Sequence, residues 1–309
     1  MDLFGEVRGA KPFLKWAGGK RQLIPMIDAA LPHGFAQQRD LTYVEPFIGG
    51  GAVLFWILQA YPHIQRAVIN DINPDLSTAY KTVQAQPADL ILSLSSIQNK
   101  YHSLTSEEDK RAYFMDMREE FNTRSLDPLR NTSLLIFLNR TCFNGLYRVN
   151  SKNKFNVPFG KYDKPNICDS ANITAVSHLL KKVVIYNGDF SKALDNVTGK
   201  AFVYFDPPYK ALNISASFNA YAAESFDDAS QQRLATFCKV LDAQGHNWLL
   251  SNSDVKNEDK NDHFFDDMFD RFCIQRVKAS RRINSVASKR GEINELLISN
   301  YQRELILQP

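Results

Sequence analysis

The chain has 309 residues, of which 44% are hydrophobic, and a formal net charge of +3 at pH 7. This length suits one large α/β domain with an insertion, or two domains, and the mild charge requires any nucleic-acid surface to be local. The four cysteines and six histidines show no metal-ligand spacing, which argues against a zinc site and a disulfide framework. Without a visible signal peptide or membrane-length apolar run, the sequence predicts a cytoplasmic, metal-free protein.

The first motif is Phe13-Leu-Lys-Trp-Ala-Gly-Gly-Lys20. It is not a phosphate-binding loop, because the required earlier glycine and following Ser or Thr are absent and the segment precedes the first strand. The pattern predicts a glycine-hinged turn that carries Lys15, Trp16 and Lys20, followed by a helix over residues 23–31. An alternative interpretation makes Trp16 a core anchor only.

A glycine-rich turn follows the first predicted strand, in Glu45-Pro-Phe-Ile-Gly-Gly-Gly51. Glycines there allow a ligand to approach the backbone, and Asp71 has the spacing of an acid that accepts ribose hydroxyls. A dinucleotide site is one interpretation, but Gly-x-Gly-x-x-Gly is absent, and Glu45 suits a cationic ligand such as a sulfonium. A purely structural turn is another. The predicted elements are strand 41–44, helix 52–59 and strand 66–69.

Residues 81–168 show helical periodicity, with a helix N-cap predicted at Thr105 or Ser106. The segment ends in a basic and aromatic cluster without an acid between residues 140 and 161. Such side chains neutralise phosphates, bind guanine or wedge between bases, which predicts a DNA surface on a hairpin at residues 144–145 or 152–153. For Phe155 and Phe159, a role in the core of the insert is an equal alternative. The cluster consists of Arg140, Phe143, Tyr147, Arg148, Lys152, Lys154, Phe155, Phe159, Lys161, Tyr162 and Lys164.

The strand predicted at 201–204 runs into Asp206-Pro-Pro-Tyr209. Proline lacks an N–H, so the Pro207 carbonyl is expected to be free for a ligand. This carbonyl and the Asp206 carboxylate can each accept one N–H of an exocyclic amine, which favours a pyramidal nitrogen with an outward lone pair. The Tyr209 ring offers a stacking face. A polar turn without function is the alternative interpretation.

Other elements frame this motif. Strand 182–186 precedes Asp189 and Phe190, which are placed to bind and cover an adenine ring. After the motif, we expect a lid at 213–223, a helix at 231–241, a strand at 247–251 and an acidic, solvated stretch at 258–270. A terminal β-hairpin spans 272–283 and 295–299, and its basic tip is predicted to contact phosphate, with an ordinary solvated hairpin as the alternative.

Six motifs in this order resemble those of the DNA adenine methylase (Dam) family, over nearly the whole chain. They lie at residues 13–20, 44–51, 70–73, 143–146, 155–160 and 206–209. The resemblance implies an α/β fold with a Rossmann-like, mostly parallel seven-stranded sheet, a terminal antiparallel hairpin and an inserted, mainly helical DNA-recognition subdomain. Residues 1–80 and 169–309 would form the catalytic domain and residues 81–168 the recognition subdomain, in the α arrangement of amino-methyltransferases.

The resemblance also implies the activity. S-adenosylmethionine (SAM) would methylate N6 of a flipped adenine in double-stranded DNA, commonly within GATC, by direct in-line transfer. The catalytic residues would be Asp206, Pro207, Pro208 and Tyr209. The SAM pocket would comprise Trp16, Lys20, Glu45, Phe47, Gly49, Asp71, Asp189, Phe190 and Asp206. The predicted DNA-binding residues are Lys15, Arg140, Phe143, Asn144, Leu146, Arg148, Asn150, Pro158, Tyr162, Arg281 and Arg282. Phe143 stands where a tyrosine also occurs in the family. We expect a monomer in a bacterial or phage-infected cytoplasm, close to the nucleoid, that a restriction endonuclease can accompany.

Four rival functions are weaker. Cytosine-N4 methyltransferases usually carry Ser before Pro-Pro, and cytosine-C5 enzymes need a Pro-Cys nucleophile, which this chain lacks. Methylation of a protein glutamine would leave the basic-aromatic cluster without a purpose. A DNA-binding protein that had lost catalysis would be expected to lose the Asp206-Pro-Pro-Tyr209 turn (the Asp206 corner) or the glycine turn first.

Overall fold

The computed structural model describes residues 9–195, 197–210, 226–280 and 292–302. The predicted lid at 213–223 and the hairpin-tip residues Arg281 and Arg282 lie outside these ranges. The strands are β1 (Thr42–Glu45), β2 (Arg66–Asp71), β3 (Val183–Asn187), β4 (Ala201–Phe205), β5 (Asn247–Ser253), β6 (Cys273–Ser280) and β7 (Glu292–Ser299). The helices are α1 (Ile24–Ala29), α2 (Ala52–Ala60), α3 (Pro74–Ala85), α4 (Pro87–Ser103), α5 (Glu107–Phe121), α6 (Pro128–Thr141), α7 (Ser170–Leu180), α8 (Asp228–Ala243) and α9 (Phe264–Met268).

The seven strands form one sheet in the order β3-β2-β1-β4-β5-β7-β6. Strands β1 to β5 are parallel, whereas β7 is antiparallel to both β5 and β6. This confirms the predicted sheet with its terminal antiparallel hairpin. The strand order reverses between β1 and β4, and ligands of open α/β sheets bind at the carboxyl ends of strands around such a reversal.

Both faces of the sheet are covered, as parallel sheets require. In β4, the side chains of Phe202 and Tyr204 enter the core beneath α2, α3 and α7. Those of Val203 and Phe205 enter the opposite core, beneath α8 and α9. This alternation buries β4 completely and leaves only its carboxyl end for chemistry.

The helical segment packs around α6, whose residues 132–139 are all buried. Helix α6 begins at Pro128, where Asp127 caps it by accepting from the Arg130 backbone N–H. Asp followed by Pro at the first helical position is a favourable helix start. Ser106 caps α5 by the same kind of bond, which confirms one of the two predicted N-caps.

Residues 142–160 fold back on themselves through two isolated antiparallel bridges, Cys142 with Phe159 and Val149 with Phe155. A regular hairpin was predicted here, and only the turn between Val149 and Phe155 resembles one. Phe155 and Phe159 are buried, so they belong to the core of the helical segment. Helix α3 runs without a break through residue 80, and the division of the chain at that residue stays a prediction.

The prediction of a solvated acidic stretch at residues 258–270 was wrong in part. Phe265 and Phe269 are buried in the core. Asp266 receives two hydrogen bonds from Arg276 of β6, which also donates to the buried Asp254. Because these acids already neutralise it, Arg276 is a structural ion-pair residue rather than a free basic group of the hairpin. No helix in the described ranges is long and apolar enough to cross a membrane.

Candidate active site

Four acids line the carboxyl edge of the sheet. Glu45 ends β1, Asp71 ends β2, Asp189 follows β3 by two residues and Asp206 directly follows β4. These strands are neighbours in the order β3-β2-β1-β4, and adjacent strands lie about 4.8 Å apart. The sheet therefore brings together acids that are separated by up to 161 positions in sequence, at the edge where the sequence predicted them.

The glycine turn is tied to the end of β2. The backbone N–H of Gly49 donates to Asp71 Oδ2 at 3.1 Å, and that of Asn73 donates to Oδ1 at 2.9 Å. Each carboxylate oxygen has a second lone pair, so Asp71 can still accept hydroxyl groups. Burial raises the pKa of Asp71, and these backbone bonds oppose the rise. Gly51 has φ of +73°, and a Cβ there would lie 2.4 Å from the hydroxyl oxygen of Tyr80, so the turn admits only glycine at this point.

Glu45 is buried at the end of β1, between the ends of β2 and β4. It accepts a 2.7 Å hydrogen bond from the Tyr43 hydroxyl. Burial raises the pKa of Glu45 well above its usual value, the Tyr43 bond opposes this, and the Asp206 charge raises it further. A buried carboxyl of this kind gains most from a cationic ligand, which would restore its charged form.

Aromatic side chains flank the acids. Trp16 is half-buried over the glycine turn, and a Cβ on Gly49 would lie 3.2 Å from its Cδ1. Phe47 packs on Phe190 with ring centroids 5.3 Å apart, as expected for two residues of one pocket. Asp189 is less available than predicted, because it caps the turn at Ser191 and pairs with Arg233 at 2.6 Å.

The Asp206 corner is held by Lys20. The Lys20 ammonium lies 2.7 Å from Asp206 Oδ1, donates to the Gly18 carbonyl at 2.8 Å and sits 4.3 Å from the centroid of the Tyr209 ring. Burial raises the pKa of Asp206, whereas the Lys20 charge lowers it. Lys20 therefore opposes the rise in the pKa of Asp206 and covers the aromatic face that was predicted to stack on a base.

Three further side chains fix the Asp-Pro-Pro-Tyr turn, and none of them was predicted. Ser251 of β5 donates to Asp206 Oδ1 at 3.3 Å, Gln231 of α8 donates to the Pro208 carbonyl at 3.2 Å, and Glu295 of β7 accepts from the Tyr209 hydroxyl at 2.7 Å. Pro207 is buried and Pro208 is exposed. No donor from the described residues reaches the Pro207 carbonyl, which agrees with its predicted availability. Position on neighbouring strands was the one signal that could have indicated Ser251.

The recognition segment, defined as residues 143–162, presents apolar side chains to solvent. Phe143 is 52% exposed and Leu146 is 43% exposed, which is unusual for side chains of this size in a folded domain. Asn144 between them is exposed with φ of +55°. Arg148 is also exposed, and its Nε donates to Asn156 Oδ1 at 2.7 Å, which orients the guanidinium.

Other predicted DNA-binding residues surround this surface. Lys15 and Pro158 are exposed, and the Lys15 ammonium lies 5.2 Å from the Tyr162 ring centroid. Asn150 closes the turn by accepting from the Lys152 and Lys154 backbones. Arg140 is not brought to this surface, since it donates to the Phe13 carbonyl and burial lowers its pKa.

Asn139 clamps the first motif to the recognition segment. Its amide donates to the carbonyls of Lys15 and Gly145, both at 2.8 Å, and its oxygen accepts from the Lys15 N–H at 2.8 Å. Asn139 and Lys15 are 124 positions apart, so no local sequence pattern indicates these contacts.

Comparison with known proteins gives consistent similarities. The model of the D12 class of N6 adenine-specific DNA methyltransferases matches residues 16–283. The chain is 45% identical to the type II methyltransferase M.MjaIII of Methanocaldococcus jannaschii over 94% of this chain and 99% of that protein. It is 36% identical to the type II methyltransferase M1.LlaDCHI of Lactococcus lactis subsp. cremoris, over 94% of this chain and 95% of that protein. It is 31% identical to the DNA adenine methylase of Escherichia coli strain K12, over 93% of this chain and 94% of that protein.

Proposed function

The chain belongs to the D12 class of N6 adenine-specific DNA methyltransferases, and from this premise we propose that it uses SAM to methylate N6 of adenine within GATC in double-stranded DNA. The observation that carries the proposal is the Asp206 corner. There, a carboxyl group paired with Lys20 lies near the Tyr209 ring, on the same sheet edge as Glu45 and Asp71.

The residues of this edge fit SAM. Asp71 has free lone pairs for ribose hydroxyls, Glu45 is a buried acid that a positive group would ionise, and Phe47 and Phe190 offer an apolar wall beside Asp189. Trp16, Lys20, Gly49 and Asp206 complete the proposed set. When bound, SAM supplies a methyl group on a positively charged sulfur, which the acids of the edge favour electrostatically.

The Asp206 corner activates the amine of adenine. Asp206 and the Pro207 carbonyl each accept one N–H, so the nitrogen turns pyramidal and its lone pair points away from both acceptors. This arrangement stabilises the transition state more than the flat amine of the ground state. Pro208 and Tyr209 shape the site, and the Tyr209 ring stacks on the base. With SAM bound, the amine would attack the methyl carbon directly as the carbon–sulfur bond breaks, S-adenosylhomocysteine would leave, and the methylated amine would lose one N–H proton. No protein side chain would carry the methyl group.

Lys20 must leave the Tyr209 face when adenine arrives, because its ammonium lies 4.3 Å from the centroid of that ring. Until then it offsets the cost of a buried carboxylate. The corner is also too recessed to reach a paired base, since the Asp206 side chain is only 19% exposed. The duplex hides N6 in its base pair, so the adenine has to be flipped out.

The recognition segment supplies the DNA contacts. Phe143 and Leu146 are exposed enough to enter the stack and fill the space of the departed base. Arg148 is oriented to bind guanine in the major groove, while Lys15 and Tyr162 lie beside it. Asn144, Asn150 and Pro158 belong to the same surface, and GATC is proposed because the motifs at residues 143–146 and 155–160 resemble the recognition segment of the DNA adenine methylase family.

Digestion of methylated plasmid tests the target. A plasmid treated with the protein and SAM is cut with two endonucleases that recognise GATC and have opposite sensitivity to N6-methyladenine. We expect full protection from the enzyme blocked by methylation and full cutting by the enzyme that requires it. Incorporation of labelled methyl groups without any change in GATC cutting would contradict the target sequence.

The remaining expectations form part of the same proposal. Residues 81–168 act as the recognition subdomain within a catalytic domain of residues 1–80 and 169–309. The protein acts as a cytoplasmic, nucleoid-associated monomer in a bacterial or phage-infected cell. A restriction endonuclease of the same specificity accompanies it, as suggested by two relatives named type II methyltransferases. Size-exclusion chromatography with light scattering checks the monomer, which a dimer mass would contradict.

A further inference from the structure

Tyr147 lies between Leu146 and Arg148 in the recognition segment, yet its side chain contacts the cofactor edge of the sheet. We propose that Tyr147, through Trp16 and Asp75, couples occupation of the cofactor site to the binding of DNA. It is a positioning residue that contacts neither reacting group. This inference rests on the proposed function, because it takes SAM and DNA as the two ligands.

The ring of Tyr147 makes the first connection. It stacks on Trp16, with ring centroids 5.1 Å apart and an angle of 26° between the planes. Trp16 in turn covers the glycine turn, where a Cβ on Gly49 would lie 3.2 Å from its Cδ1 and one on Gly50 would lie 3.1 Å from its Cβ. A ligand seated at this turn therefore restricts the same indole that supports Tyr147.

The hydroxyl of Tyr147 makes the second connection. It donates to Asp75 Oδ2 at 2.7 Å, and the same oxygen pairs with Arg124 at 2.6 Å. Arg124 also donates to the Asn153 carbonyl at 2.8 Å, in the turn that carries Lys152 and Lys154. Asp75 therefore joins two parts of the recognition segment, and its side chain is only 13% exposed.

Asp75 connects back to the cofactor edge through the backbone. It stands in the first turn of α3, which Asn73 caps by accepting from the Asp75 N–H at 3.0 Å. The Asn73 N–H donates to Asp71, which also accepts from the Gly49 N–H. The contacts thus form a closed ring, from Gly49 through Asp71, Asn73, Asp75, Tyr147 and Trp16 back to Gly49.

Such a ring makes the two binding events cooperative. A cofactor at the glycine turn and Asp71 orders one side of the ring, and Tyr147 then holds Leu146 and Arg148 in place for DNA. Because the first ligand has already ordered the ring, the second ligand loses less conformational entropy when it binds. By linkage, each ligand must raise the affinity of the other by the same factor.

The coupling factor is measured directly. Fluorescence anisotropy gives the Kd of a labelled duplex that contains the target site in unmethylated form. It is measured without and with saturating S-adenosylhomocysteine, which prevents turnover. The Kd of S-adenosylhomocysteine without and with the duplex gives the reciprocal check. We expect a factor above one for the native protein, and in Tyr147→Phe a reduction of about threefold or more, because one hydroxyl link of the ring is lost while the stacked ring remains.

Tyr61→Phe is the matched control. The Tyr61 hydroxyl also donates to an aspartate, Asp28, at 2.5 Å, outside the ring of contacts. This variant should keep the native factor, so a loss confined to Tyr147→Phe is not a general effect of removing a tyrosine–aspartate bond. Asp75→Ala removes the acceptor of the Tyr147 hydroxyl and should reduce the factor as well. The double variant should lose little more, since both changes remove the same hydrogen bond.

Three outcomes would overturn the inference. Tyr147→Phe could keep the native factor, Tyr61→Phe could lose as much, or the native protein could show a factor of one. If the coupling is absent but the native protein, supplied with SAM, methylates adenine, the proposed function stands and only the coupling is wrong. If the native protein transfers no methyl group to adenine, the proposed function fails and the coupling falls with it.

Discussion

The Asp206 corner and the recognition segment differ in how their side chains are held. Lys20, Ser251, Gln231 and Glu295 fix the corner from four different elements of the fold. The recognition segment is anchored at its base by Asn139, while Phe143 keeps half of its surface exposed. The difference shows a corner whose side chains are already fixed and a surface whose apolar side chains are still open to a partner, which we propose to be DNA.

Replacement of Lys20 tests the preorganisation most severely. Lys20→Met removes the charge that lowers the pKa of Asp206, so that pKa rises further and the carboxylate forms only at higher pH. We expect kcat/KM at neutral pH to fall roughly 100-fold, the usual size for the loss of one preorganised electrostatic partner. The acid limb of the pH profile of kcat/KM should move to higher pH. Lys182→Met is the control, because the Lys182 ammonium donates to the Ile64 carbonyl at the opposite edge of the sheet. An unmoved pH profile in Lys20→Met would contradict this role.

Replacement of Arg148 tests the role of the recognition segment in choosing the DNA site. Arg148→Ala should lose ~1–3 kcal/mol of discrimination at one base pair, while kcat on the preferred site changes little. Lys152→Ala is the matched control, because its exposed ammonium is expected to weaken binding to all sequences alike. Competition binding with single-base variants of the site separates the two. Uniform weakening by Arg148→Ala would make Arg148 a phosphate contact.

Glu295 tests whether the corner depends on its support from β7. Glu295→Ala leaves the Tyr209 hydroxyl without its acceptor and should lower kcat roughly 10-fold, the effect of about one lost hydrogen bond to a charged group. Glu295→Gln retains an acceptor oxygen and should recover most of kcat. Because the Glu295 charge raises the pKa of Asp206, both variants should move the acid limb of the pH profile of kcat/KM to lower pH. This shift is opposite to the one expected for Lys20→Met. Equal losses in the two variants would contradict the hydrogen-bond role.

Glu45 should show the smallest effect, and it concerns stability. Burial raises its pKa in the folded state, so the folded protein binds more protons than the unfolded chain and loses stability as pH rises above about 4.5. Glu45→Gln removes this penalty. Its Tm should exceed that of the native protein by a few degrees at neutral pH, and the gap should narrow on acidification. Its affinity for SAM should fall at the same time, and an unchanged affinity would remove Glu45 from the cofactor site.

The sequence predicted most of the fold because strands and glycine turns have local signatures. The strand ends that carry Glu45, Asp71 and Asp206 follow from short motifs, and the mostly parallel sheet follows from the family resemblance. The strand order, with its reversal between β1 and β4, was not predicted. The supports of the corner do not follow from short motifs, because Glu295 meets Tyr209 across 86 positions and Ser251 meets Asp206 across 45. Arg140 was predicted to bind DNA because its structural partner, the Phe13 carbonyl, is a backbone group 127 positions away.

The central claim is that Asp206 holds the amine of a flipped adenine. The most direct test compares transfer of labelled methyl groups from SAM to DNA by the native protein and by Asp206→Ala, with DNA affinity measured for both. We predict N6-methyldeoxyadenosine as the labelled nucleoside from the native reaction, and no transfer by Asp206→Ala despite nearly native DNA binding. Transfer retained by Asp206→Ala would contradict the account.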